Sequence, residues 1–255
     1  MSVERNNKTA IVTGAAGGMG LGISERLARD GFNVVLADIQ PELLAASVAS
    51  LKADGLPVEG VACDIGMPDG VQELAAKTRE VFGPIDVLIN NAGISPKKNG
   101  KKEPIEDLTY DGWNRVLAVN LSSHFLCAQE AIRDMKKSGW GRIVNISSQG
   151  GRTRPQWAGA HYTASKSGVI GFTRALALDL GPFGVTANCI APGRIITPMA
   201  NVISKAANEV FMKEIPVGFF GEPKDIAGPI SFLVSEDARF VNGAVLDVNG
   251  GSFMG

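Results

Sequence analysis

The chain predicts a doubly wound α/β fold, a parallel seven-stranded sheet with helices on both faces, and three observations carry that reading. Short β-branched runs bounded by Gly, Asp or Asn alternate with segments of helical period, the rhythm of repeated βαβ units. The runs lack polar alternation, as strands do when helices cover both faces of their sheet. The 255 residues, 45% of them hydrophobic, suffice for one substantial core, and no repeat or low-complexity linker divides them, so a single domain over residues 1–255 is expected.

In chain order, the first strand is predicted at Thr9 to Thr13, followed by a helix from Gly18 to Asp30 and a strand from Asn33 to Asp38. A helix from Pro41 to Ala53, a strand from Val58 to Cys63, a helix from Pro68 to Phe82 and a strand from Asp86 to Asn90 come next. A long helix from Gly112 to Lys137 precedes a strand from Arg142 to Ser147. The helix from Tyr162 to Leu180, the strand from Thr186 to Ile190, the helix from Pro223 to Ser235 and the strand from Ala244 to Val248 complete the series. Pro41, Pro68 and Pro223 stand near helix starts, where a missing N–H costs little. The Tyr162 to Leu180 helix is small or apolar almost all round, from Ala164, Gly168 and Gly171 to Phe172, Ala175 and Leu178. A helix without a polar face needs cover on every side, and its own sheet covers one. A second subunit is expected on the other, with Gly168 and Gly171 permitting close approach, in a homotetramer or dimer; the alternative is a helix enclosed within one large domain.

A formal net charge of -1 with 20% charged residues leaves no basic excess for nucleic acid or an anionic membrane. No run has the length of a transmembrane helix, and Met1 to Asn7 is too short and polar for a secretory leader. Cys63, Cys127 and Cys189 lie far apart among apolar or small neighbours and read as reduced core thiols, so a cytoplasmic protein is expected.

Directly after the first strand comes Thr13-Gly14-Ala15-Ala16-Gly17-Gly18-Met19-Gly20. Glycine permits the tight turn, and a pyrophosphate reaches the N–H groups of a helix start only where no side chain intervenes. Gly14, Gly18, Met19 and Gly20 are therefore candidate dinucleotide contacts. Asp38 ends the second strand about 20 residues on, where an acid binds the adenosine ribose, with Ile39 beside it. The Asp38 carboxylate would repel a 2′-phosphate, and Gly17, Ile39 and Gln40 supply no cation, so the expected cofactor is NAD. The alternative for Asp38 is a cap for the helix at Pro41.

Tyr162 and Lys166 stand four apart and share a helix face. Bringing a tyrosine from near pH 10 to neutrality takes roughly 4 kcal/mol, and a nearby ammonium and an oxidised nicotinamide both act in that direction. Ser148 lies at the end of the fifth strand, on the sheet edge where ligands bind, and its hydroxyl suits a substrate oxygen.

With Thr13 to Gly20, Asp64, Asn90-Asn91-Ala92-Gly93, Asn120, Ser148, Tyr162-x-x-x-Lys166 and Pro192-Gly193 followed by Thr197, the whole chain resembles the short-chain dehydrogenase/reductase family, a Rossmann-fold group. The resemblance implies hydride transfer between a nicotinamide cofactor and a small-molecule alcohol or ketone, with Tyr162 as general acid/base. It implies that Asp64 and Ile65 meet the adenine, that Asn90, Asn91, Ala92 and Gly93 frame the adenosine side, and that Lys166 bonds the nicotinamide ribose. It further implies that Pro192, Gly193, Ile195 and Thr197 orient the carboxamide and that Asn120 positions a water in a proton relay. No metal is implied. Fourteen positions separate Ser148 from Tyr162, one more than is common, so Ser147 stays open as the catalytic serine; Gly151 at the usual offset favours Ser148.

Residues 193–221 are expected to form a substrate lid with an apolar stripe of Val202, Ile203, Val210, Phe211 and Met212. Glu214 to Gly218, Gly221-Glu222-Pro223, Asp225-Ile226-Ala227 and Asn249-Gly250-Gly251 look like segments of 3-oxoacyl-carrier-protein reductases, although Phe219 stands where those often have arginine. Lys97, Lys98, Lys101 and Lys102, with Arg152 and Arg154, form either an anion-steering loop, partly offset by Glu103, Glu106 and Asp107, or a solvated surface. A 3-hydroxyacyl or 3-oxoacyl substrate is the expectation, with a polyol, cyclic alcohol or hydroxy acid as alternatives. A dinucleotide-binding regulator without chemistry is the rival class; intact Tyr162 and Lys166 speak against it. A hydrolase is excluded: neither serine sits in G-x-S-x-G, and no histidine follows His161.

Overall fold

A computed structural model describes residues 8–98, 100–153, 157–197 and 205–255, with side chains in the last stretch from residue 209. Seven parallel strands form one sheet in the order β3-β2-β1-β4-β5-β6-β7, with β1 Thr9–Thr13, β2 Asn33–Asp38, β3 Val58–Ala62, β4 Ile85–Asn90, β5 Gly141–Ile146, β6 Val185–Pro192 and β7 Val245–Val248. Side chains alternate across it: Ala10, Val12, Val34 and Leu36 enter one apolar cluster, Ile11, Val35 and Ala37 the other. Both faces are apolar because both are covered. Helices α1 (Gly18–Arg29) and α2 (Pro41–Ala53) pack on the first cluster, and α3 (Pro68–Phe82) on the second.

The predicted helix from Gly112 to Lys137 is two, α4 (Tyr110–Leu117) and α5 (Ser123–Ser138), joined by a π-helical segment at Ala118–Ser122. The apolar period continues through the junction, so periodicity gives no sign of it. Thr109 starts α4 by accepting the Gly112 N–H at 3.0 Å. Helix α6 spans Ala160–Leu180, two residues longer at its start than expected, which places Tyr162 in its first turn. Its inner side packs with α5 on the second cluster, while Ala164, Gly171, Ala175 and Leu178 stay exposed, Leu178 at 79%. Gly168 makes its close approach within the chain, against Leu121 of the π segment. Helix α7 (Lys205–Lys213) lies in the expected lid, and α8 (Pro223–Leu233) packs beside α1. Val202, Ile203 and Arg154 fall outside the described residues.

Candidate active site

The sheet order reverses between β1 and β4, and the carboxyl ends of β1, β4, β5 and β6 carry the turns singled out above. The β1 and β4 turns are locked together. Thr13 Oγ1 accepts the N–H groups of Asn91 at 3.0 Å and Ala92 at 3.1 Å, and Asn91 Nδ2 donates to the carbonyls of Thr13 and Gly14 at 2.9 and 3.0 Å. Gly14 has φ +64°, and a Cβ there would lie 2.7 Å from Ala92 Cα. Asn90 does not join this rim: it is buried within the sheet, donating to Asn145 Oδ1 at 2.8 Å.

Gly17 precedes α1 and no side chain caps that helix, which leaves its first N–H groups to an anion. Asp38 Oδ2 accepts the Ala16 N–H at 3.0 Å and Oδ1 the Gln40 N–H at 3.1 Å. The N-cap of α2 is Gln40, so Asp38 belongs to the glycine turn and is not the helix cap. Ile39 beside it is 57% exposed. Asp64 accepts the Gly66 N–H at 2.9 Å and pairs with Arg115 at 3.0 Å. Ile65 and Ile195 are buried. Pro192 ends β6, Gly193 donates its N–H to the Val248 carbonyl at 2.9 Å, and Ile195 bridges to Gly221, with Thr197 half-buried beyond.

Tyr162 and Lys166 face each other from consecutive turns of α6, with Lys166 Nζ 5.9 Å from the Tyr162 ring centroid. The two adjacent serines, just past the end of β5, serve different tasks. Ser148 lies beside Tyr162, whose pKa it draws down, and accepts the Gly150 N–H at 3.1 Å. Ser147 is buried and donates to the Lys166 carbonyl at 2.7 Å, fastening α6 to β5.

The electrostatics differ from the sequence expectation. Burial pushes the Tyr162 phenol above its ordinary value, against which Ser148 pulls down. The Lys166 ammonium, expected to lower it, donates to the Ile146 carbonyl at 2.7 Å, and desolvation takes Lys166 itself down to about 8. In the chain alone Tyr162 therefore keeps its proton at neutral pH.

Asn120 lies in the π segment, a feature frequent at functional sites. Its amide is fully engaged: Oδ1 accepts the Ile94 N–H at 2.8 Å, while Nδ2 donates to the Ile94 carbonyl at 2.9 Å and to Ser165 Oγ at 3.1 Å. Ser165 passes the link on, donating to the Tyr162 carbonyl at 2.7 Å. The side chain is thus a clamp between the loop after β4 and α6. A Cβ on Gly93 would lie 3.3 Å from Lys166 Nζ and 3.5 Å from Asn120 Oδ1, so glycine keeps the approach to Lys166 clear. One turn beyond Asn120, His124 is buried with both ring nitrogens unpartnered among the described residues, and burial followed by the Lys166 charge holds its pKa well below the usual value. Ser165, His124 and the Ile146 carbonyl were not among the sequence candidates for the site. No grouping of metal-binding side chains occurs among the described residues.

The uncapped α1, the acid at the end of β2 and the clear approach to Lys166 together fit a dinucleotide. Residues 14–252 match a family model described as Enoyl-(Acyl carrier protein) reductase. The chain is 39% identical to (2S)-[(R)-hydroxy(phenyl)methyl]succinyl-CoA dehydrogenase subunit BbsD of Thauera aromatica, covering 96% of both chains. The chain belongs to the short-chain dehydrogenase/reductase family. The structure of a Brucella melitensis 3-oxoacyl-[acyl-carrier protein] reductase with bound NAD superposes on this family member with a TM-score of 0.91 at 34% identity, over 97% of this chain and 92% of that one. That of an actinorhodin polyketide ketoreductase with NADPH gives 0.89 at 32%, over 98% and 99%. As a short-chain dehydrogenase/reductase the chain is an oxidoreductase acting on CH–OH or ketone groups. No described helix is long and apolar enough to cross a membrane.

Proposed function

We propose that this short-chain dehydrogenase/reductase interconverts a secondary alcohol and a ketone with NAD(H), on a 3-hydroxyacyl or 3-oxoacyl thioester. The observation that carries the reading is the placing of the buried Lys166 ammonium against the Tyr162 ring, with Ser148 acting on the same phenol. When bound, the dinucleotide supplies or takes up the hydride. Gly14, Gly18, Met19 and Gly20 would hold its pyrophosphate, Asp38 and Ile39 the ribose, and Asp64, Ile65, Asn91, Ala92 and Gly93 the adenosine side. Tyr162 and Lys166 would meet the nicotinamide ribose, and Pro192, Gly193, Ile195 and Thr197 the carboxamide.

In reduction, Tyr162 enters protonated and gives its proton to the substrate oxygen, which Ser148 holds beside it. The Lys166 ammonium then stabilises the phenolate left behind, more strongly for being out of water. Asn120 keeps the Ile94 loop and α6 in register, and with its amide engaged any relay water falls to its main chain. Asp38 supports NAD over NADP, since it sits at the turn where a 2′-phosphate would meet a carboxylate. One similar structure holds NAD and another NADPH, and Asp38 is this chain's own evidence. The exposed outer side of α6 supports a homo-oligomer, a tetramer or dimer, and a cytoplasmic site of action goes with the rest of the reading.

The decisive experiment follows absorbance of NADH and NADPH during reduction of 3-oxoacyl thioesters of N-acetylcysteamine. Turnover with NADH preferred is expected; NADPH preferred strongly, or no turnover of any ketone, would overturn the reading.

A further inference from the structure

The turn that follows Ser148 is held from two sides. Gln149–Gly151 form a single 3-10 turn beyond β5, and Ser148 Oγ accepts the Gly150 N–H at 3.1 Å. On one side lies α6: Ser167 Oγ donates to the Gly151 carbonyl at 2.8 Å, and a Cβ on Gly151 would lie 2.8 Å from the main-chain carbonyl carbon of Lys166. On the other lies the segment after β7. Ser252 Oγ donates to Gln149 Oε1 at 2.8 Å, and Gln149 Nε2 donates to the Ser252 carbonyl at 3.4 Å, so one residue engages both ends of the carboxamide. Arg152, one residue past the turn, pairs with Asp247 of β7, donates to the Gly255 carbonyl at 2.8 Å and lies 5.2 Å from the Phe253 ring centroid.

The loop after β6 closes on the same place. A Cβ on Gly193 would lie 2.7 Å from Asn249 Cβ and 3.2 Å from Gln149 Oε1, so a side chain at 193 would disturb the pairing of Gln149 with Ser252. The loops after β5, β6 and β7 therefore meet at the Gln149 carboxamide. Ser148 is bracketed by anchored neighbours. Ser147 before it donates its N–H to the Ile190 carbonyl at 2.8 Å and its hydroxyl to the Lys166 carbonyl, and Gln149 after it is tied to Ser252, 103 positions away in the chain. A helix of one 3-10 turn has little hydrogen bonding of its own to fix its orientation, so the anchors set where the Ser148 hydroxyl points.

We propose that Gln149, gripped by Ser252, is a positioning residue that orients this turn and keeps the Ser148 hydroxyl against the Tyr162 phenol. The proposal rests on the reading of Tyr162 as the proton donor and Ser148 as the group that holds the substrate oxygen. A displacement of about 1 Å at a reacting centre can cost about 100-fold in rate, so releasing one of the two anchors beside Ser148 should cost about 10-fold.

The first arm of the test observes Tyr162 directly. The chain has two tyrosines, of which Tyr110 is 79% exposed, so protein carrying carbon-13 at the tyrosine Cζ gives two resonances, one of them an internal reference. Tyr162→Phe assigns the other, and Ser148→Ala gives the displacement that follows full loss of the serine. Gln149→Met, which keeps the stem, and Ser252→Ala should each move the Tyr162 resonance in the same direction, without cofactor or substrate; unchanged far-UV circular dichroism certifies the fold. A resonance left at the parent position by both variants, or indifferent to Ser148→Ala, overturns the proposal. The second arm is kinetic, with 3-oxohexanoyl thioester and NADH. Each variant should lower kcat about 10-fold, keep KM and the calorimetric NADH affinity within about 2-fold, and add no further loss in a Ser148→Ala background. Losses that multiply with that of Ser148→Ala, or that fall on KM alone as for a direct substrate ligand, overturn it. Failure of the catalytic reading shows separately, as absence of turnover of any ketone by the parent chain, while the Tyr162 resonance still decides on Gln149.

Discussion

Replacing Lys166 by methionine should stabilise the protein while abolishing its chemistry. The ammonium is buried and its pKa is about 8 against an ordinary 10.5, so below pH 8 the folded state carries a charge that the unfolded chain would hold in water. That difference corresponds to about 3 kcal/mol at neutral pH. Methionine keeps most of the stem and removes the charge, but the Ile146 carbonyl loses its 2.7 Å donor, a cost of about 1 kcal/mol. A net gain of about 2 kcal/mol remains, roughly 4 to 8 °C in Tm for a domain of this size. Between pH 8 and 10.5 the unfolded chain binds a proton that the folded lysine has released, so the destabilising contribution of the lysine fades with rising pH and the gap to the variant closes. The thiols of Cys63 and Cys127, pushed up to about 12 by burial, are common to both proteins and cancel in the comparison. Thermal melts at fixed protein concentration, without cofactor, at pH 7, 8.5 and 10 measure this. A variant less stable than the parent at pH 7, or a gap independent of pH, would refute the account of Lys166 as a charge held at the expense of stability.

Tyr162→Phe should bind NADH as the parent does yet lose at least about 1,000-fold in kcat, read by fluorescence titration and initial rates. Ser148→Ala should lower kcat by about 100-fold with little change in Tm. Ser147→Ala should instead cost about 1 kcal/mol of stability through its lost bond to the Lys166 carbonyl, which paired melts and rates will separate. His124 has a folded pKa far below its ordinary 6.5, so the unfolded chain takes up the extra proton first and stability should fall as pH drops below about 6.5. His124→Leu should flatten that acid limb in urea titrations from pH 7 to 5. Asp38→Ser combined with Ile39→Arg should shift the kcat/KM ratio of NADPH to NADH upward by about 100-fold or more, since a carboxylate is removed and a cation supplied at one place.

Much of the architecture was legible because it rests on local patterns. The β-branched runs of Asn33 to Asp38 and the proline-led helices Pro41 to Ala53 and Pro68 to Phe82 fall where expected, and strand order follows from right-handed βαβ repetition. The π segment at Ala118–Ser122 was not legible, since one shifted hydrogen-bond pattern leaves the apolar period almost unchanged. The two serines show the same limit. Ser147 and Ser148 are chemically identical in sequence, and only the folded path of the chain beyond β5 decides which one meets Tyr162. Of the six basic residues around the mouth, sequence spacing treated all alike. Lys98 and Arg152 turn out to be paired with acids, and Lys97 turns inward.

The residue types and their spacing were enough for the parallel α/β frame, the glycine turn after β1, the acid at Asp38 and the pairing of Tyr162 with Lys166. These depend on neighbours within a turn of helix or one βα unit. Tertiary structure decided the protonation states, the engagement of Asn120 and the meeting of Gln149 with Ser252. Each of those depends on burial and on contacts between segments far apart in the chain: desolvation holds the proton on Tyr162 and lowers Lys166, and neither effect exists until the sheet and α6 close around them.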